Sequence, residues 1–175
     1  MIGDRALRTG RDRGAIAVEA ALLLPVFLLL VMGTLDWALV MRDTTSITAM
    51  TRDGVRTASA LPRSDTMLRS TADAIKKSGS AMPKDSIDYI LIYEANAAGM
   101  PGSSTSIPES LTAAQDPCAT LGASGRCQMY TWNEVADTFN SAGTSTWPET
   151  AINACAGDPA ATSVGVYMRS THNMI

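Results

Sequence analysis

Aromatic residues are scarce in this 175-residue chain, at 5% of the sequence, and there is one histidine. The spacings of its three cysteines, Cys118, Cys127 and Cys155, fit no zinc pattern. No phosphate-binding glycine loop is present either. His172 could formally pair with a cysteine for nucleophilic catalysis, but no nucleophile motif surrounds it. The sequence therefore predicts no enzyme, no cofactor or metal site, and no small-molecule substrate.

Basic clusters are missing from the C-terminal part of the chain. The formal net charge is -3, and acidic residues outnumber basic ones beyond residue 62. No basic run interleaved with aromatics occurs there, so nucleic acid is a poor partner. The one basic cluster lies at the N-terminus, immediately before a long apolar run, and consists of Arg5, Arg8, Arg11 and Arg13. This arrangement favours a lipid bilayer as the partner.

The apolar run extends over residues 15–41, where only Glu19 and Asp36 are charged. As a helix it would be ~40 Å long, enough for a hydrocarbon core of ~30 Å. It lacks the polar face that a core helix of a soluble protein would show. The nearest small-x-small triplet, 58–60, lies too far downstream for a cleaved secretory signal. We therefore predict a retained transmembrane helix.

The orientation of this helix follows from flanking charge. Four arginines precede it, and a smaller number follow closely, namely Arg42, Arg52 and Arg56. The positive-inside rule then modestly favours a cytoplasmic N-terminus and an extracytoplasmic C-terminal part.

Three residues within the run call for explanation. Asp36 lies near the outer end beside Trp37, where a headgroup location and a role in assembly are both open. Pro25 removes one helical hydrogen bond, so it is either a simple kink or a point at which the helix bends during assembly. Glu19 lies at the cytoplasmic edge, four residues after Ala15.

The segment 13–19, Arg-Gly-Ala-Ile-Ala-Val-Glu, resembles the class III signal of type IV pilins and pseudopilins. In that family a prepilin peptidase, an aspartyl peptidase of the membrane, cuts after the glycine and usually methylates the new amine. The resemblance implies a basic leader 1–14 that is removed after Gly14. It also implies that the Glu19 carboxylate pairs with the amine of Ala15 in a neighbouring subunit.

A longer stretch, 14–60, resembles the TadE-like minor pilins of Tad (type IVc) pili. It carries a Val18-Glu19 pair, a leucine run broken by Pro25, then Gly33 and Asp36. The later segment 51–58, Thr-Arg-Asp-Gly-Val-Arg-Thr-Ala, is similar to a family stretch Ala-Arg-Glu-Gly-Ala-Arg-x-Ala. The resemblance implies a structural protein whose partners are other pilin subunits, the prepilin peptidase and the bilayer.

Beyond residue 41 the sequence predicts that the helix continues as a stalk, 42–61. An apolar stripe supports this, and Pro62 ends the helix because the residue before proline avoids helical geometry. The stripe, expected to pack on the C-terminal domain or on neighbouring stalks, comprises Ile47, Met50, Gly54, Ala58 and Leu61.

The remainder, 62–175, has room for one small domain. Ser64 is predicted to cap a helix over 65–77 whose inward residues are Met67, Leu68, Ala72 and Ile75. Strands are predicted at 87–93, 127–132 and 163–170, a surface loop at 95–117, and a short helix from Asn133 toward Phe139. Because the last strand lies near residue 175, we also expect the C-terminus to be truncated.

The cysteines permit more than one disulfide. The Cys127–Cys155 pair is favoured because it would connect the second strand to the segment before the third. The short-loop pair Cys118–Cys127 is the alternative, since connectivity does not follow from sequence.

These features predict an α+β protein: a leader 1–14, a transmembrane helix 15–41, a stalk 42–61, and a small antiparallel-sheet extracytoplasmic domain 62–175. The predicted function is that of a minor pilin of a Tad-type pilus, located in the cytoplasmic membrane and, after assembly, in the pilus, with a role in pilus assembly and surface adhesion. The alternative is a membrane-tethered extracytoplasmic binding module that never polymerises.

Overall fold

The computed structural model describes residues 9–61, 66–79, 82–148, 151–152 and 163–171, without the side chains of 9–13 and 15. A long helix is followed by short helices and an antiparallel sheet: α1 (Thr9–Ala60), α2 (Met67–Ser78), β1 (Ile87–Glu94), α3 (Pro117–Thr120), β2 (Cys127–Asn133), β3 (Thr138–Ala142) and β4 (Val164–Ser170). The chain divides into two compact units, one that includes α1 up to Arg42 and another that begins at Asp43. The predicted α+β class is confirmed.

Helix α1 contains the predicted helix 15–61 almost entirely. It begins at Thr9, inside the predicted leader, and ends at Ala60, one residue before the predicted end. A difference of one residue is within the usual fraying of a helix terminus. Pro62 in the sequence accounts for the end, since it disfavours helical geometry in the residue before it.

The sheet has the order β3-β2-β1-β4, and all neighbouring strands are antiparallel. The three predicted strands correspond to β1, β2 and β4. Ile90 of the central strand β1 lies opposite Tyr130 of β2 and Met168 of β4. A register shift between Ile87 and Tyr89 changes which side chains of β1 share a face. As a result, Ile87 packs on the same side as Ile90.

One face of the sheet packs against α2 and the outer part of α1. The four residues of α2 predicted to face inward are all buried, which confirms that prediction. Thr71 is buried with them, and its hydroxyl donates to the carbonyl of Met67 at 2.8 Å. The members of this core with 0% exposure are Met50, Ala58, Met67, Ile75, Ile90 and Ile92.

The second face of the sheet is covered by the segment 95–126. The predicted surface loop 95–117 has no strand and many exposed residues, as expected, but it also contributes buried side chains to a second core. Leu111 and Cys118 are buried against Leu91 of β1. Tyr89 lies in the same core, and its hydroxyl donates to the carbonyl of Leu111 at 3.1 Å. Burial raises the pKa of the Tyr89 hydroxyl. The physical reason for the cover is that β1 carries large apolar or aromatic side chains on both faces, and both must be removed from water.

The short helix predicted from Asn133 to Phe139 is wrong. The chain turns there, with the backbone N–H of Ala136 donating to Asn133 Oδ1 at 3.0 Å and Asp137 at φ +46°. Phe139 then lies in β3, where its ring is 5.1 Å from that of Trp132. An asparagine side chain that bonds to the backbone ahead stabilises a turn as readily as a helix start, which explains the error.

Candidate membrane and assembly site

The inner part of α1 presents apolar side chains to its surroundings. Its span Ile16–Ala60 is long and apolar enough to cross a membrane, and its most apolar window is not covered by any described part of the chain. The large side chains that are more than half exposed are Ile16, Val18, Leu22, Leu23, Leu24, Val26, Phe27, Leu28, Leu29, Leu30, Leu35 and Trp37. Exposed apolar area of this extent is unfavourable in water and favourable in hydrocarbon.

The predicted processing residues lie together at one point of α1. Gly14 and Ala15 both have helical backbone, and Glu19 follows about one helical turn later with its side chain exposed. A Cβ atom at Gly14 would meet nothing within 4 Å. The helix thus places the Cα atom of Glu19 ~6 Å along the axis from the residue whose amine a cut after Gly14 would create. Cleavage itself stays a prediction.

Pro25 and Asp36 mark two other points of this segment. The helix continues through Pro25, although a proline has no N–H for the carbonyl of Ala21. Asp36 is half-buried, and its Oδ1 has no hydrogen-bond partner among the described residues. Beside it, the Trp37 side chain is 65% exposed, as expected of an aromatic residue at a membrane interface.

The outer part of α1 behaves differently, because its apolar stripe packs on the domain. Met50 and Ala58 are fully buried in the helical core, and Ile47 and Leu61 pack against it. At Gly54 a Cβ atom would lie 2.8 Å from Ile75 Cγ1 of α2. The first of the two predicted packing modes is thus confirmed. Sequence reasoning missed that Gly54 lets the two helices approach this closely, although a glycine within an apolar stripe is a recognisable signal.

The disulfide joins Cys118 to Cys127, so the favoured pairing of Cys127 with Cys155 is wrong. Their Cα atoms are 5.5 Å apart, and both residues are fully buried. The bond connects α3 to the start of β2, beneath the segment that covers the second face of the sheet. The pairing follows from the burial of this loop, which the sequence pattern did not predict. Cys155 and His172 lie outside the described residues.

Asp116 links the segment 95–126 to the residues that follow β3 through hydrogen bonds. Its Oδ2 accepts hydrogen bonds from the backbone N–H and the hydroxyl of Thr144, both at 2.6 Å. Burial alone would raise the pKa of the Asp116 carboxyl, but hydrogen bonds from Thr144 and from the backbone of Ala119 and Ser145 together outweigh it and hold that pKa below its ordinary value. The residue has φ +44° and precedes Pro117 at the start of α3. An Asp-Pro pair favours the start of a turn, so the sequence itself carries a signal for this one.

We expect Asp116→Asn to lower the free energy of unfolding by about 1 kcal/mol at pH 7, because the amide loses charge-assisted hydrogen bonds. A carboxyl whose folded pKa is depressed contributes stability above its unfolded pKa, and loses it as pH falls through the folded value. The gap between variant and wild type should therefore close below pH ~3.8. Urea unfolding in detergent, at pH 7 and at a pH below ~3.8, measures the difference in free energy of unfolding between the variant and the wild type. The control is Asp85→Asn, because Asp85 is exposed. A gap that is equal at neutral and acid pH would contradict the assignment.

A polar cavity opens at the end of β1. It has a volume of about 430 Å³ and is lined by Glu94, Asn96, Arg126 and adjoining glycine, alanine and serine residues. Glu94 and Arg126 form an ion pair of 2.9 Å across strand ends, with the arginine side chain largely exposed. In the ranges that the structure describes, no group of three or more His, Cys, Asp or Glu residues could hold a metal ion.

Residues 14–56 match the model of a family described as TadE-like protein. The match begins at the predicted cleavage glycine and ends in the outer part of α1, so the resemblance predicted for this segment is confirmed. No curated protein and no solved structure matches the chain. The family match associates the chain with Tad pili, and together with the apolar span it indicates a membrane anchor.

Proposed function

Taking the TadE-like segment 14–56 as the premise, we propose that this chain is a minor pilin or pseudopilin of a Tad-type pilus. It inserts through the inner part of α1 with its N-terminus in the cytoplasm. Prepilin peptidase cuts it after Gly14, and the processed subunit takes part in pilus assembly and surface adhesion. The extracytoplasmic part comprises the stalk and the sheet domain.

The observation that carries this proposal is the position of the family match on α1. The matched segment starts at Gly14, and from there α1 runs uninterrupted through the whole match to Ala60. The part of the match before Arg42 has an exposed apolar surface, and the shorter part after it contributes Met50 to the domain core. A helix whose N-terminal part exposes apolar side chains and whose C-terminal part packs in a domain core suits a subunit that moves from the bilayer into a filament.

Processing gives the subunit a new charge at its inner end. After the cut, the α-amino group of Ala15 lies at the start of the apolar helix, one turn from Glu19. An unpaired charge at membrane depth costs several kcal/mol, so amine and carboxylate gain from pairing between neighbouring subunits. This pairing supplies a reason for subunits to associate through the inner part of α1.

The N-terminal mass of protein isolated from membranes tests the proposal, in a host that carries the matching prepilin peptidase. We expect a start at Ala15 for the wild type and an intact N-terminus for Gly14→Trp, because the resemblance implies a cut after glycine and this variant puts a bulky side chain in its place. Gly10→Trp, a matched change inside the leader, should still give a start at Ala15. A wild-type start at Met1 or Ile2 with active peptidase would contradict the proposal.

The alternative function, a tethered binding module that does not polymerise, draws support from the polar cavity of Glu94, Asn96 and Arg126. In that case the leader is retained and the chain is absent from filaments sheared from the cell. Detecting the processed chain in a sheared-pilus fraction separates the two functions, since a tethered module would stay with the membrane.

A further inference from the structure

Two opposite charges near the outer end of the apolar helix are spaced so that they cannot pair within one chain. Asp36 and Arg42 are six residues apart on α1. Six residues advance ~9 Å along a helix and turn through ~600°, which places the two side chains on faces ~120° apart. Side chains meet within one helix at spacings of three or four. Any ion pair between these positions must therefore join two copies.

The state of each residue fits such a contact. Asp36 is half-buried, and its Oδ1 is shielded from solvent without a hydrogen-bond partner among the described residues. Arg42 is exposed and has an interaction within its own chain. A guanidinium has five N–H donors, so it can accommodate a further carboxylate. Leu35 and Trp37, on either side of Asp36 in the sequence, are exposed and can pack against a neighbouring helix.

We propose that copies of this chain pack side by side through α1 with an axial offset of about six residues, ~9 Å, so that Asp36 of one copy pairs with Arg42 of the next. The proposal rests on the proposed pilin function and names the contact by which subunits meet. The raised copy is the one displaced along the axis toward the C-terminal end of α1. It supplies Asp36, and the lower copy supplies Arg42. An offset in the same direction also brings Glu19 of the lower copy toward the Ala15 amine of the raised one.

The geometry of this pair dictates the type of assembly. Because Asp36 and Arg42 lie on different faces, each copy uses one face toward the copy above and another toward the copy below. Such a head-to-tail contact is heterologous, and with an axial offset it cannot close into a ring. The contact therefore generates an open screw of subunits, whereas a symmetric dimer would use one face twice.

Cysteine cross-linking between copies tests the register without touching the charges. Leu29 and Leu35 lie one heptad below Asp36 and Arg42, so each shares the face of its charged counterpart. Both are exposed, at 74% and 51%. Two chains with different tags are co-expressed with the peptidase, one carrying Leu29→Cys and the other Leu35→Cys. Both also carry Cys155→Ser, and the membranes are then mildly oxidised. We expect the 29–35 cross-link at least fivefold above a control pair of Leu29→Cys with Val26→Cys.

Charge reversal then tests the ion pair itself. Asp36→Arg should reduce the 29–35 cross-link at least fivefold, and adding Arg42→Asp to the same chains should restore it to within about twofold. Three results would overturn the proposal. They are the absence of the 29–35 cross-link, an unchanged cross-link in Asp36→Arg, and a failure of the double reversal to restore the cross-link. The N-terminal mass of the same samples decides processing independently. A chain that starts at Ala15 without this cross-link keeps the pilin function and loses the proposed contact.

Discussion

Replacing both Cys118 and Cys127 by alanine is expected to lower the free energy of unfolding of the sheet domain by about 2–4 kcal/mol. The bond closes a loop with a sequence separation of 9, and its two residues are fully buried. Removing it frees the unfolded chain and leaves the cover over the second sheet face held by packing alone. For a domain of this size the melting temperature should fall by roughly 10 °C.

Thermal unfolding of the detergent-solubilised chain, followed by circular dichroism, measures this effect. Cys155→Ser is the matched control, because it removes a thiol without touching the Cys118–Cys127 bond. Adding a reductant to the wild type should reproduce the double alanine variant. If the double variant has the same melting temperature as the wild type while Cys155→Ser has a lower one, the Cys118–Cys127 bond does not stabilise the domain.

The second large effect concerns insertion. Leu28→Asp should reduce membrane insertion more than 100-fold, because an aspartate at the centre of a spanning helix costs about 2.5–3.5 kcal/mol and the leucine contributed favourably. Leu28 lies at the middle of 15–41 and is 51% exposed, so no described part of the chain shields a charge there. The fraction of protein that resists alkaline extraction from membranes reports the result.

A matched control separates insertion from general damage to the helix. Thr48→Asp introduces the same charge in the outer part of α1, where Thr48 is exposed and its hydroxyl donates to the carbonyl of Thr44. This variant should stay in the membrane fraction. Equal retention of Leu28→Asp and wild type would contradict a membrane-spanning role for 15–41.

Sequence alone predicted much of the secondary structure correctly, for reasons that can be stated. The strands β1, β2 and β4 are runs of β-branched and aromatic residues with few alternatives. The helix α2 was recognised from apolar residues at spacings of three and four. The helix predicted at 133–139 was a mistake, because an asparagine side chain stabilises a turn as readily as a helix start. The loop at 95–117 was predicted from its glycine, serine and proline residues, but its burial against the sheet was not.

The candidate site shows the same division. Gly14, Glu19, Pro25 and Asp36 were predicted from an apolar run and a motif, both of which are local patterns. The partner of Cys127 was mispredicted, and the roles of Gly54 and Asp116 were not anticipated. Each of these depends on which segment covers which face of the sheet, and that information is spread over distant parts of the chain.

What the sequence determined by itself is a long apolar helix, able to span a membrane, and a segment 14–56 that matches the TadE-like family. These follow from hydrophobicity and short-range spacing, which act before any packing. Only the tertiary structure decided that 95–126 closes the second core and that Cys118 is the partner of Cys127. Those outcomes depend on burying both faces of β1, a requirement that is met by contacts between residues far apart in sequence.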